Sequence, residues 1–152
     1  MSMAPSYAHG ASGTPLLGET IGDNLARIAA RHPGHDALVV RHQEVRLSYA
    51  ELDAEVDRVA RALLGLGLEP GDRLGIWSPN CAEWVLIQYA TARAGVVLVN
   101  VNPAYRTSEL EYALNQSGCR GLIGQAVRRS TGRPTILLPT ERFERNRYQP
   151  LT

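Results

Sequence analysis

The chain is predicted to be α/β, a parallel βαβ sheet with flanking helices and a small hairpin. Three observations predict it. Arg73-Leu74-Gly75-Ile76-Trp77 and Val96-Val97-Leu98-Val99 are short apolar runs on either side of a helical stretch, Ala82 to Ala94. A strand–helix–strand unit within one sheet almost always makes a right-handed parallel crossover. The second run is apolar without alternation, as in a parallel strand covered on both faces. Upstream, Leu52, Val56, Val59, Ala60 and Leu63 recur at i, i+4, i+7, i+8 and i+11, which is one apolar stripe along a helix.

Residues 1–17 are rich in Ser, Gly, Pro and Ala, show no periodicity, and are expected to form a disordered leader. Gly10-Ala11-Ser12-Gly13-Thr14 has the composition of a phosphate loop, but it follows no strand and has no lysine, so a flexible leader is the better reading. A first helix is predicted from Ile21 to Arg31, with Ile21, Leu25 and Ile28 on its apolar face and His32-Pro33-Gly34 as its stop. Ala37-Leu38-Val39-Val40 and Val45-Arg46-Leu47 flank the polar turn His42-Gln43-Glu44 and read as a hairpin. His32, His35 and His42 lie close in sequence, but no acidic or thiol ligand set surrounds them, so no metal is assigned.

Ser48-Tyr49-Ala50-Glu51 is a capping box that starts the second helix, since the Ser48 hydroxyl can accept from the Glu51 amide while the Glu51 carboxylate reaches back. Asp57 and Arg61 form an i,i+4 pair on its wet side, and Gly65 and Gly67 end it. Glu69-Pro70-Gly71-Asp72 is a tight turn into the strand at 73–77, and Ser78-Pro79-Asn80 leads into the third helix. That helix is apolar on most sides (Trp84, Val85, Leu86, Ile87, Tyr89, Ala90) and is expected to pack against two layers, with Gly95 as its cap. A second capping box, Ser108-Glu109-Leu110-Glu111, is expected to open a fourth helix whose apolar edge is Leu110, Ala113 and Leu114. Gly118 stops it, and Cys119-Arg120-Gly121-Leu122-Ile123 reads as a third parallel strand.

Beyond Ile123 neither period continues, and only Ile136-Leu137-Leu138 has strand character. Residues 1–123 hold ten Arg against thirteen acids, whereas residues 124–152 hold six Arg against two acids. The expected organisation is therefore a leader at 1–17, an α/β domain at 18–123, and an irregular Arg-rich tail at 124–152. The net charge of +1 gives no reason to expect nucleic acid. No apolar run approaches the roughly 20 residues of a membrane span. Cys81 and Cys119 make no disulfide framework and read as small buried hydrophobes. The start lacks the basic and apolar regions of a signal peptide, so a cytoplasmic location is expected. A Rossmann dehydrogenase requires Gly-x-Gly-x-x-Gly after the first strand of a βαβ unit. Here Ser78-Pro79-Asn80-Cys81-Ala82 follows, and that reading is rejected.

Several runs together resemble the acyl-adenylate-forming, or AMP-binding, enzyme family. They are Leu47 to Leu52, Gly65-Leu66-Gly67-Leu68-Glu69-Pro70-Gly71-Asp72-Arg73-Leu74-Gly75-Ile76, Ser78-Pro79-Asn80, Glu83-Trp84, Ala94 to Arg106 and Glu109-Leu110-Glu111-Tyr112. The Asn102-Pro103-Ala104-Tyr105-Arg106 form most resembles the fatty acid–CoA ligase branch. The resemblance implies the N-terminal part of a larger two-domain ligase, with residues 18–123 as a partial N-terminal subdomain of that fold. Such enzymes activate a carboxylate with ATP and Mg2+ to an acyl-adenylate and pyrophosphate, then pass the acyl group to coenzyme A. The resemblance also implies that their working parts lie outside this chain: a phosphate loop ending in lysine, an acidic residue for the ribose, and a mobile C-terminal domain with a catalytic lysine.

The sequence contains no lysine, all sixteen basic residues being arginine. Ser130-Thr131-Gly132-Arg133-Pro134-Thr135 imitates the phosphate loop with Thr135 where lysine belongs, and it stands too few residues after Ile123. Accordingly no catalytic, cofactor-binding or metal residue is assigned, and no cofactor is expected in this chain. Asn102, Tyr105 and Arg106 follow a parallel strand, where open α/β sheets bind ligands, but they are expected to structure their own loop. The expectation is an N-terminal fragment of an AMP-forming fatty acid–CoA ligase, inactive alone, whose tail arises from a change of reading frame or, alternatively, is a real but divergent one. The alternative is a non-catalytic module that pairs with a homologous ligase or with a separately encoded remainder. Self-association through an exposed apolar sheet edge is also expected, together with exposure of the helix-three face around Trp84 and Ile87.

Overall fold

The computed structural model describes residues 13–14, 16–125 and, for the backbone, 134–137. Most of the leader at 1–17 and most of the tail at 124–152 therefore lie outside the described residues. The elements are α1 (Ile21–Arg31), β1 (Asp36–Val40), β2 (Val45–Ser48), α2 (Tyr49–Gly65), β3 (Arg73–Trp77), α3 (Ala82–Ala94), β4 (Val97–Asn100), α4 (Thr107–Ser117), β5 (Gly121–Gln125) and β6 (Pro134–Leu137).

The main sheet has the order β4-β3-β5-β6. β3 pairs in parallel with β4 and β5, and β6 closes the other edge antiparallel to β5. Strand character was expected at 136–138, and the strand forms two residues earlier, at Pro134–Leu137. β1 and β2 form a separate hairpin through a single 3-10 turn at Arg41–Gln43, with Glu44 left-handed at φ 55°.

Helices cover both faces of the sheet. On one face α1, α2 and α3 bury Leu25, Leu52, Val56, Leu63, Leu74, Ile76, Ile87 and Ala90 in one cluster, against which Leu98 packs. On the other, α4 brings Leu110 and Leu114 against Val101, Cys119 and Leu122, with Val99 alongside. Leu98 and Val99 thus point to opposite layers, as the pleat of a strand requires.

Gly75, at the centre of β3, lets α4 approach. A Cβ there would lie 3.0 Å from Leu114 Cδ2 and 3.1 Å from Leu122 Cδ1. Gly22 does the same for α1 and α3, since a Cβ would meet Arg93 Cα at 3.3 Å.

Four expectations need correction. Ile21 is 61% exposed, because the buried face of α1 is Gly22, Leu25 and Ala29. Ile87 is buried, because α1 and α2 cover the α3 surface that was expected to be open. β4 is not covered throughout: it forms the sheet edge, and Val97 is 50% exposed. The second capping box is displaced. α4 begins at Thr107, and the Glu109 carboxylate accepts from the Arg106 backbone N–H at 2.8 Å, so Ser108 is already inside the helix. The first capping box forms as read, with both the Ser48 amide and the Glu51 amide satisfied.

Candidate functional site

Ligands of open parallel sheets bind outside the carboxyl ends of the strands. Among the described residues that rim consists of the loops after β3 and β4. The β4 loop is anchored by Val101 N–H, which donates to Ile76 O at 2.9 Å. Asn102 then closes a tight turn on itself: its Oδ1 accepts from Ala104 N at 3.0 Å and its carbonyl from Tyr105 N at 3.0 Å. The side chains of Asn102, Tyr105 and Arg106 are exposed.

In the β3 loop, the buried Ser78 hydroxyl donates to Pro79 O at 3.0 Å and lies 3.7 Å from Cys81 Sγ. Cys81 begins α3 without a side-chain cap. The hairpin supplies one instead: Gln43 Oε1 accepts from Ala82 N at 2.7 Å, and Gln43 Nε2 donates to Glu83 Oε2 at 2.8 Å. Partial burial pushes the Glu83 carboxyl up, but donors from Gln43, its own amide and Cys81 outweigh this and hold it below the ordinary range. Sequence reasoning missed Gln43, because the contact spans 39 positions and its only local signal was the polar turn. Trp77 Nε1 is buried and finds no acceptor among the described residues.

The remaining sequence candidates are not brought together. His32 and His35 stack at 5.3 Å, while His42 sits exposed on the hairpin turn. Among the described residues no three His, Cys, Asp or Glu side chains converge as a metal cage. Cys81 and Cys119 are free thiols, and burial pushes the Cys119 thiol up. Both stretches that imitate a phosphate loop, 10–14 and 130–135, fall largely outside the described residues. ATP and Mg2+ need a cation and convergent carboxylates at this rim. Among the described residues Ser78 and Asn102 bond to their own loops, while the Arg106 side chain at this rim is exposed.

A parallel three-stranded core with helices on both faces and structured loops at the strand ends defines an open α/β subdomain. The chain belongs to the AMP-binding enzyme family, whose sequence model matches residues 25–147. It is 52% identical over 118 residues to the mitochondrial medium-chain acyl-CoA ligase ACSF2 of Rattus norvegicus, covering 78% of this chain and 19% of that protein. The Homo sapiens counterpart is 51% identical over the same shares. Among solved structures, the N-terminal domain of FACL13 from Mycobacterium tuberculosis superposes with a TM-score of 0.69 at 32% identity, covering 71% of this chain and 28% of that one. A fatty acyl CoA synthetase of the same organism gives 0.69 at 33%, covering 70% and 21%. The chain thus spans about a fifth of the curated relatives it matches. Among the described residues no helix is long and apolar enough to cross a membrane.

Proposed function

We propose that this chain supplies the N-terminal sheet scaffold of an AMP-forming fatty acid–CoA ligase and does not catalyse ligation by itself. One observation supports the reading: the chain matches only 19% of the length of its ligase relative, and the Ser78 and Asn102 side chains at its strand-end rim bond within their own loops. ATP, Mg2+ and coenzyme A are then held by residues outside this chain. A chimera tests it. The segment of rat ACSF2 that this chain matches is replaced by the corresponding residues of this chain, and acyl-CoA formation from a medium-chain fatty acid is measured. Activity within roughly tenfold of the parent supports a scaffold role, a soluble but dead chimera opposes it, and activity on mixing this chain with a separately expressed remainder supports the pairing-module reading.

The domain at 18–123, the leader at 1–17 and the tail at 124–152 belong to the same proposal. Downstream DNA encoding a Ser/Thr/Gly-rich loop ending in lysine in another frame supports the frame change. The family match reaching residue 147 favours an in-frame tail. A cytoplasmic location is also proposed. The relatives' names place those proteins in mitochondria, and fractionation of cells expressing the tagged chain decides between the two.

A further inference from the structure

β3 is the inner strand of the parallel core, with β4 on one side and β5 on the other, so the loop after it stands at the middle of the strand-end rim. Pro79 and Asn80 of that loop are exposed. A long-range tie reaches its far end from the hairpin, through both ends of one amide. Gln43 Oε1 accepts from Ala82 N at 2.7 Å, and Gln43 Nε2 donates to Glu83 Oε2 at 2.8 Å. Glu83 also accepts from the Cys81 thiol, whose sulfur lies 3.7 Å from the buried Ser78 hydroxyl. A polar chain thus runs from Gln43 through Glu83 and Cys81 to Ser78, just past the end of β3. An amide that gives one bond and takes another, at two successive residues, fixes orientation as well as distance. The turn that carries Gln43 is itself closed, since Glu44, left-handed at φ 55°, donates its N–H to Arg41 O at 3.2 Å. Gln43 and Glu83 are partly buried, so water competes less for their bond than at an open surface.

We propose that Gln43 is a positioning residue of the strand-end rim: from the hairpin it fixes the β3 loop, shields the Cys81 thiol, and in an assembled ligase holds this part of the rim in place for the reaction. The last of these rests on the scaffold reading given above. The pair has a distinctive signature, because glutamine and glutamate have the same shape. In Gln43→Glu the introduced carboxylate can still accept from Ala82 N, but it meets the Glu83 carboxylate, and like charges at this distance repel. Adding Glu83→Gln restores one donor against one acceptor with the direction of the bond reversed, and the pair keeps its single charge.

The test labels the two free thiols of the 152-residue chain with iodoacetamide and reads each site by mass spectrometry. Gln43→Glu is expected to raise the Cys81 rate about fivefold or more, through one lost hydrogen bond and one added repulsion. Cys119, buried in the α4 layer, keeps its rate, which separates release of the loop from general unfolding. The double variant Gln43→Glu with Glu83→Gln returns Cys81 to within about twofold of the parent. Should Gln43→Glu fail to fold, Gln43→Ala removes both bonds without adding charge and is expected to give the same rise. In the rat ACSF2 chimera, Gln43→Glu is expected to lower kcat/KM for a medium-chain fatty acid about tenfold or more, and the double variant to recover it. An unchanged Cys81 rate, an equal rise at both thiols, a double variant as reactive as the single one, or an unmoved kcat/KM each overturns the proposal. A chimera inactive before these substitutions counts against the scaffold reading instead, and the labelling then decides on the positioning by itself.

Discussion

Arg93 Nη2 on α3 lies 2.5 Å from Asp53 Oδ1 on α2. The same guanidinium donates through Nη1 to Asp57 at 2.6 Å and to the Asp53 carbonyl at 3.3 Å, and through Nη2 to the Gly22 carbonyl of α1 at 3.4 Å. One cation thus ties three helices beneath one face of the sheet. Burial alone would lower its pKa, but the two carboxylates outweigh burial and raise it. Arg93→Ala leaves the Asp53 carboxylate without its Arg93 partner. The expected loss is about 1–3 kcal/mol in urea unfolding, less than for a fully buried pair because Asp57 is 47% exposed. Arg93→Lys recovers only part of it, since an ammonium cannot span both carboxylates with a planar fork.

Gln43 holds the start of α3 from the hairpin. Gln43→Ala is expected to cost about 1 kcal/mol, as for a lost helix cap. It also removes the donor that lowers the Glu83 pKa, so that pKa should rise. Carboxyl-carbon NMR titration of Glu83 in the two proteins checks this, and an unmoved midpoint would show that the Gln43 contact does not form.

Gly75 has a packing role. In Gly75→Ala the methyl group meets Leu114 and Leu122, so α4 must shift or both leucines must change rotamer. A loss of about 1–3 kcal/mol is expected, as for other overpacked cores. Chemical denaturation measures it, with Gly34→Ala, where a Cβ meets open space, as the control for general glycine replacement.

Glu19 accepts from Arg27 Nη2 at 2.6 Å and from Asn24 Nδ2 at 2.6 Å, and these bonds, Arg27's first, bring its pKa down to about 2. A depressed folded-state value stabilises the protein above the unfolded value near 4.5. That contribution is lost as pH falls from there through about 2. Arg27→Gln should return the Glu19 midpoint toward 4.5 by NMR and flatten this part of the stability profile.

The local grammar of the chain was legible where the competing signals agreed. α1, β3 and α3 occupy the predicted spans because a cap or stop, a period and a turn coincide at each, as at Gly95 with φ 73°. Where two local signals competed, only the structure decided between them. Ser108 and Arg106 each stand three residues before a glutamate, and Glu109 took the earlier amide. Ile21 begins the apolar repeat, yet the close approach permitted at Gly22 rotates α1 and leaves Ile21 in solvent. Contacts across the chain, such as Gln43 to Ala82 and Arg93 to Asp53, leave no periodic trace and were not readable. At the strand-end rim, residue types identified the family and led to the expectation that Asn102 structures its own loop, as its bond from the Ala104 amide does, whereas only geometry showed the Ser78 hydroxyl bonded to Pro79 O.

The proposal that this chain is ligase scaffold without ligase chemistry bears on ATP–pyrophosphate exchange by the purified 152-residue chain. Adenylation depends on cationic groups that stabilise charge at phosphorus, and the loss of a single such donor costs about 2.7–4 kcal/mol. The sequence offers no lysine for that role. With medium- and long-chain fatty acids the expected exchange equals that of the enzyme-free control. Exchange above that control which co-purifies with the chain through successive columns would contradict it.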